Sequence, residues 1–221
     1  VAADASYDLA KDFIGIGPLT RAPFLLVTAA NQPDKSAADL IARARQNPGT
    51  ISYASAGNGS TTHIGAAIYA QRANINLQHV PYKGNAASWT DLMAGRVGVL
   101  LEAYGSSVSM IRDGRLKALG VTSSKRVSVL PEVPTLAEQG VPNFNFSFWI
   151  GLMAPAGTPK DIAEKLNDAL RASLVDPELK DRFREEGAEV MSMGSDEFTK
   201  FLKDETSSMS KLINDLNLPK Q

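Results

Sequence analysis

From about Pro23 to Pro155 the chain alternates short apolar runs with amphipathic stretches, and turn residues mark nearly every change of period. Short apolar runs bounded by breakers read as strands, and longer stretches of helical periodicity read as helices. Their regular alternation predicts an α/β fold with a parallel sheet covered by helices. Phe24-Leu25-Leu26-Val27 is a first strand, and Ser36 caps a helix over 37–46 that is stopped by Pro48-Gly49. A strand over 51–55 is broken by Gly57-Asn58-Gly59, and a helix over 61–72 follows. Further strands are expected over 77–82, 97–101 and 116–121, with helices over 86–94 and 106–112 and a helical turn over 135–139 ended by Gly140.

Past this stretch the pattern changes. Residues 144–153 form a long apolar and aromatic strand, in which alternation sends Phe144, Phe146 and Phe148 to one face and Trp149 to the other. Thr158 stands where an N-cap is wanted, with Pro159 at the first helical position, and that helix is expected to run to about 174. Asp176-Pro177 repeats the start signal for a helix ending at Gly187, and 188–193 reads as a strand. Ser195 caps a final helix with a stripe of Phe198, Phe201, Leu202, Met209, Leu212, Ile213 and Leu216.

Composition removes several functions. With 23 Lys+Arg against 24 Asp+Glu the net charge is −1, so the basic excess that grips nucleic acid or anionic lipid is absent. Without cysteine there is no disulfide, thiolate nucleophile or cysteine-held metal. The only imidazoles, His63 and His79, are spaced as no usual metal motif, so neither metal nor cofactor is expected. No apolar run approaches the roughly 18 residues of a membrane span. No charged stretch followed by an apolar one opens the chain at Val1, so any signal peptide is expected to have been removed or never to have existed. A chain of 221 residues makes one large domain or two small ones.

The segment most able to carry chemistry is Ser55-Ala56-Gly57-Asn58-Gly59-Ser60-Thr61-Thr62, a glycine-bearing loop between the end of a strand and the start of a helix. Unpaired N–H groups and the positive dipole end of the helix favour phosphate or carboxylate there, and the hydroxyls add donors. The plain structural alternative is that Ser60 or Thr61 caps the helix while the two glycines make the turn. Dinucleotide, Walker A and nucleophile-elbow patterns all fail on spacing, the last because Tyr53 stands where a glycine is required. Ser60 and His63, three residues apart, form at most an imitation of a Ser–His pair. A second cluster, Tyr82-Lys83-Gly84, follows the third strand, and Glu102 and Tyr104 follow the fourth, so all are expected at one sheet edge. Glu102 is awkward for an anion and reads as an orienter of Lys83 or a partner for a ligand ammonium.

At these residues the sequence resembles the substrate-binding proteins of tripartite tricarboxylate transporters, the Bug family of periplasmic solute receptors. The resemblance is carried by Tyr7-Asp8-Leu9-Ala10-Lys11-Asp12-Phe13, the loop from Ser55 to His63, His79-Val80-Pro81-Tyr82-Lys83-Gly84, Leu130-Pro131-Glu132-Val133-Pro134 and Trp149-Ile150-Gly151-Leu152-Met153-Ala154-Pro155, in family order. It implies a type II periplasmic-binding-protein-like fold, two doubly wound lobes joined by crossover strands. One lobe is expected over 24–145 and an incomplete one over 1–23 and 146–221, since family members carry a further N-terminal segment. Strands 24–27 and 148–153 match the crossovers. The implied protein is a non-enzymatic receptor that closes on a small carboxylate and delivers it to a membrane permease. Its expected ligand-binding residues are Ser55, Ala56, Gly57, Asn58, Gly59, Ser60, Thr61, Thr62, Tyr82, Lys83, Gly84, Glu102 and Trp149. Alternatives are a sensor or scaffold partner of a membrane protein, a hydrolase using Ser60 and His63, and, for an incomplete lobe, a dimer.

Overall fold

The computed structural model describes residues 7–216. Of these, Pro23–Ser147 form one compact unit, and residues 7–22 with 148–216 form another. A short helix α1 (Leu9–Asp12), capped by the Asp8 carboxylate, leads into β1 (Phe13–Ala29), a 17-residue strand that passes from the second unit into the first at Ala22–Pro23. The sequence pattern gave no sign of α1, because four residues are too few to show a period.

The first unit continues with α2 (Ala37–Gln46), β2 (Ser52–Ser55), α3 (Thr61–Arg72), β3 (Gln78–Pro81), α4 (Trp89–Met93), β4 (Val99–Ala103), α5 (Tyr104–Arg112) and β5 (Leu116–Val121). Helices α2 and α3 begin and end where the capping signals place them. Ser36 Oγ accepts from the Asp39 amide at 3.1 Å and Ser60 Oγ from the His63 amide at 3.2 Å, each serving an N–H that the helix itself leaves unpaired. The strand order is β3-β2-β4-β1-β5. β2 runs parallel to β3 and β4, but β1 runs antiparallel to both of its neighbours in this unit, so the sheet is mixed and not purely parallel. Only parallel strands need a helical crossover, and β1 enters without one. The expected helix over 86–94 is a 3-10 turn, Asn85–Ser88, followed by α4. Ser88 Oγ donates to the Asn85 carbonyl at 2.7 Å, a local bond that competes with the helical ladder.

Leu25 and Val27 of β1, Ala54 of β2, Leu100 of β4 and Val121 of β5 are buried together with Leu92, and Tyr82, Trp89 and Val108 pack around them. Each fully buried aliphatic side chain of this kind contributes roughly 1.5–3 kcal/mol. The register that pairs Ser55 with Pro81 and Ala54 with Leu100 brings the carboxyl ends of β2, β3 and β4 to one edge. The loops after them open there.

The second unit holds the first part of β1 with β6 (Ser147–Pro155) and β7 (Glu189–Val190) beside it, and the helices α6 (Lys160–Leu174), α7 (Pro177–Glu185) and α8 (Ser195–Asp215). Its core gathers Ile16, Ala163, Leu174, Phe198 and Leu202. Two expected caps are corrected. The Thr158 N–H closes a turn onto Pro155 O at 2.9 Å, and α6 starts behind Pro159 without a side-chain cap. Gly194 occupies the cap position of α8, while Ser195 Oγ donates to Gly15 O of β1 at 2.5 Å. The strand expected over 188–193 is cut to the two residues of β7, and the one over 144–153 begins at Ser147. Phe144 and Phe146 precede it, buried in the first unit, with Phe146 stacked on Phe24 at 5.8 Å.

Candidate functional site

The loop after β2 is held by a closed set of local hydrogen bonds. Ala56 N–H donates to Thr62 Oγ1 at 3.0 Å, Gly57 N–H to Ser55 Oγ at 3.1 Å, Gly59 N–H to His63 Nδ1 at 3.0 Å, and Ser60 N–H to Gly57 O at 3.2 Å. Gly57 has φ +126°, and a Cβ there would stand 3.3 Å from Tyr82 O, so both conformation and close approach demand glycine. Among the described residues the amides of Asn58, Thr61 and Thr62 have no hydrogen-bond partner. The last two are the first N–H groups of the 12-residue helix α3, where its dipole is positive.

A second segment is tied against this rim. Tyr82 N–H donates to Ser55 O at 3.0 Å and Gly84 N–H to Ala56 O at 3.3 Å, which places Lys83 between two residues bonded to the loop. Lys83 is exposed and has no ion pair or hydrogen bond among the described residues. Asn85, which the sequence reading passed over, locks the two segments together. Its Oδ1 accepts from Thr62 Oγ1 at 3.2 Å and its Nδ2 donates to Leu101 O at 2.9 Å. The signal available was its place directly after Lys83-Gly84, where the chain must turn across the end of β4.

Three expected ligand groups are occupied elsewhere. The Tyr82 hydroxyl donates to Asp91 Oδ2 at 2.7 Å, and Asp91 Oδ1 takes the Arg96 guanidinium, so this phenol is a packing and anchoring group. Burial and that bond hold the Tyr82 hydroxyl above the ordinary phenol range. Glu102 is buried and both of its oxygens are used, Oε2 by Trp89 Nε1–H at 3.0 Å and Oε1 by the Ala103 amide at 2.9 Å. It therefore orients no lysine. Trp149 belongs to the second unit, where its indole N–H donates to Glu205 Oε2 at 3.2 Å and its ring meets Phe198 and Phe201 edge-on.

Behind the loop lies a cluster that the residue spacing does not disclose. His63 of α3 and His79 of β3 stack with ring centres 3.8 Å apart and planes 5° from parallel, and Tyr53 of β2 stacks on His79 at 5.0 Å. Ser55 Oγ lies 2.6 Å from His79 Nε2. Burial pushes His79 down to about 4 and lowers His63 as well, while it raises Tyr53 to about 12. These groups do not assemble a hydrolase. Ser60 Oγ accepts from the His63 amide, the His63 Nδ1 lone pair is taken by Gly59, and Ser55 is completely buried. Among the described residues no group of three or more acidic or histidine side chains is placed to hold a metal ion. No described helix is long and apolar enough to cross a membrane.

What the rim offers is main-chain N–H donors, a helix dipole and one uncommitted lysine, an arrangement suited to an anion and not to bond-breaking chemistry. In comparison with known proteins, residues 2–218 match the family described as Tripartite tricarboxylate transporter family receptor. The chain belongs to that family of solute-binding proteins. A protein from the tcbD-tcbE intergenic region of Pseudomonas sp. strain P51 is 36% identical over 96% of this chain, which spans 63% of that relative's length. An R. palustris protein solved with adipate is 31% identical with a TM-score of 0.92, covering 100% of this chain and 74% of its own. MatC of R. palustris, solved with bound malate, is 27% identical with a TM-score of 0.83, covering 95% of this chain and 72% of its own. The fold is that of type II-like periplasmic binding proteins.

Proposed function

We propose that this chain is the solute-capturing receptor of a periplasmic tripartite tricarboxylate transport system, binding a small carboxylate on the loop face of the first unit and delivering it to a membrane permease. The observation that carries this reading is the set of three unpartnered amides at Asn58, Thr61 and Thr62 beside the uncommitted Lys83. A carboxylate offers several acceptor lone pairs, which match N–H donors at a helix start, and charge-assisted bonds of this kind are worth about 1.5–3 kcal/mol each. The adipate and malate held by relatives belong to the same chemical class. Gly57, Gly59, Ser55, Ala56, Ser60 and Gly84 shape the rim, and Asn85 keeps it in register.

Main-chain donors are tested by removing one. Thr61 is exposed at the first position of α3, and Ser60 before it has φ −67° and ψ 159°, which suits a following proline. Thr61→Pro deletes one amide and leaves the helix intact. Calorimetric titration with adipate, malate and an aromatic acid at pH 7.5 is expected to show micromolar or tighter binding of at least one, weakened about tenfold or more by Thr61→Pro and by Lys83→Ala. Absence of binding across the panel, or unchanged affinity in both variants, overturns the assignment.

A further inference from the structure

The imidazole cluster behind the loop points to regulation of the same rim, and this inference rests on the carboxylate reading above. Main-chain N–H groups only donate, so the Gly59 amide, 3.0 Å from His63 Nδ1, requires that nitrogen to be an acceptor and places the ring proton on Nε2. His63 is 2% exposed; among the described residues the titratable groups facing it are His79 of β3 and Tyr53 of β2, and the positive charge of the chain's amino terminus adds to burial in lowering its proton affinity. Among the described residues no carboxylate or cation pairs with either imidazole. His79 keeps a partner in either charge state, since its Nε2 can donate to or accept from Ser55 Oγ. His63 does not: a proton on Nδ1 sets one N–H against another.

We propose that the stacked His63–His79 pair is a proton-operated latch on the glycine loop: while both rings are neutral the Gly59 amide is bonded to His63 and the amide rim is formed, and proton uptake at His63 Nδ1 breaks that one bond, loosens the turn and lowers anion affinity. The cost of charging is built into the packing. A cation on His63 lies face to face with a second imidazole 3.8 Å away, in a buried pocket without an acid to compensate it. The ring that would be charged sits three residues from Ser60, whose hydroxyl caps the same helix, so loss of the Gly59–His63 bond disturbs the turn from Gly57 to His63. Burial lowers the proton affinity of both rings, which places the transition on the acid side of the ordinary imidazole range.

Two arms test the latch. In the first, without ligand, amide exchange of Gly59 and the ring signals of His63 are followed by NMR from pH 7.5 to 4.5. Protection of Gly59 is expected to fall in step with protonation of His63; protection that persists through that titration overturns the proposal. In the second, adipate affinity is measured for the unmodified chain and for His63→Gln at pH 7.5, 6.5 and 5.5. Taking the ratio of the two cancels adipate's own protonation. The ratio is expected to drop about fivefold or more on acidification, and a constant or rising ratio, as direct attraction of the anion to a charged imidazole would give, overturns it. Should His63→Gln not fold, His79→Gln replaces it, because removal of the stacked ring is expected to move the Gly59 transition to higher pH, and an unmoved transition again overturns the latch. If adipate, malate and the aromatic acid all fail to bind at pH 7.5, the carboxylate reading falls, while the exchange arm still decides the latch on its own.

Discussion

The two units differ in how they dispose of apolar surface. In the first, Leu25, Leu100, Leu92 and Val121 are enclosed by the sheet and its helices. In the second, Ile150, Leu152 and Met153 of β6 and Ile162 and Leu166 of α6 stand open, and among the described residues all the large, strongly exposed apolar side chains belong to this unit. On α6 the buried positions are Ala163, Asn167 and Leu174, so only one large apolar side chain of the helix is fully packed, while Ile162 and Leu166 stand open. The contrast teaches that the candidate anion rim stands on the better-buried scaffold, where a shift of a few tenths of an ångström is resisted by close packing. The second unit presents a surface of the kind that takes an apolar cover.

The sharpest way to break this comparison is to delete matched side chains. Leu100→Ala, in the middle of the first unit, is expected to cost about 3–4 kcal/mol in urea denaturation, whereas Leu166→Ala, at 47% exposure, is expected to stay within about 0.5 kcal/mol. Equal losses would dissolve the distinction. Next comes acid sensitivity. His79 has its affinity for protons lowered to about 4 by burial, so the unfolded chain takes up protons that the native one refuses. Stability is therefore full above the ordinary imidazole value near 6.5 and declines as pH falls from there toward 4. Denaturation midpoints at pH 7.5 and 5.0 measure this, and His79→Gln is expected to flatten the profile. Gly65→Ala follows, since a Cβ there runs into the Phe146 ring and lies 2.9 Å from Leu101 Cδ1. Overpacking of this sort costs about 1–3 kcal/mol and is read in the same assay. Smallest is Ser60→Ala, which removes the cap of α3 at a cost of about 1 kcal/mol and is expected to sharpen the comparison by loosening the rim without touching the core.

Legibility in the sequence followed the range of the interactions. Helices α2 and α3 and strand β5 were readable because caps, breakers and periodicity are local, and Ser36, Gly57 and Ser60 each act within a few residues of themselves. The direction of β1 was not, since a strand carries no mark of which neighbours it will meet. The same limit applies to Ser195, a sound cap by type whose hydroxyl is drawn 180 residues back along the chain to Gly15. At the rim, the glycine loop and Lys83 could be named from residue types, but the fates of the Tyr82 hydroxyl and the Glu102 carboxylate were decided by Asp91 and Trp89, whose positions only folding supplies. The meeting of His63 and His79 depends on α3 folding over the β2–β3 pair, which no spacing rule encodes.

A rim made of peptide N–H groups has a consequence for descent and for engineering. On the proposed carboxylate reading, nearly every codon change at Asn58, Thr61 or Thr62 keeps the donor and replaces only what surrounds it, so a preference for negative charge would be inherited while the shape around the guest drifts. Under that reading, lineages built on such a loop would exchange one acid for another by altering neighbours alone, and a designer wishing to remove the main-chain share of the grip has a single residue type to reach for, the one that lacks the hydrogen.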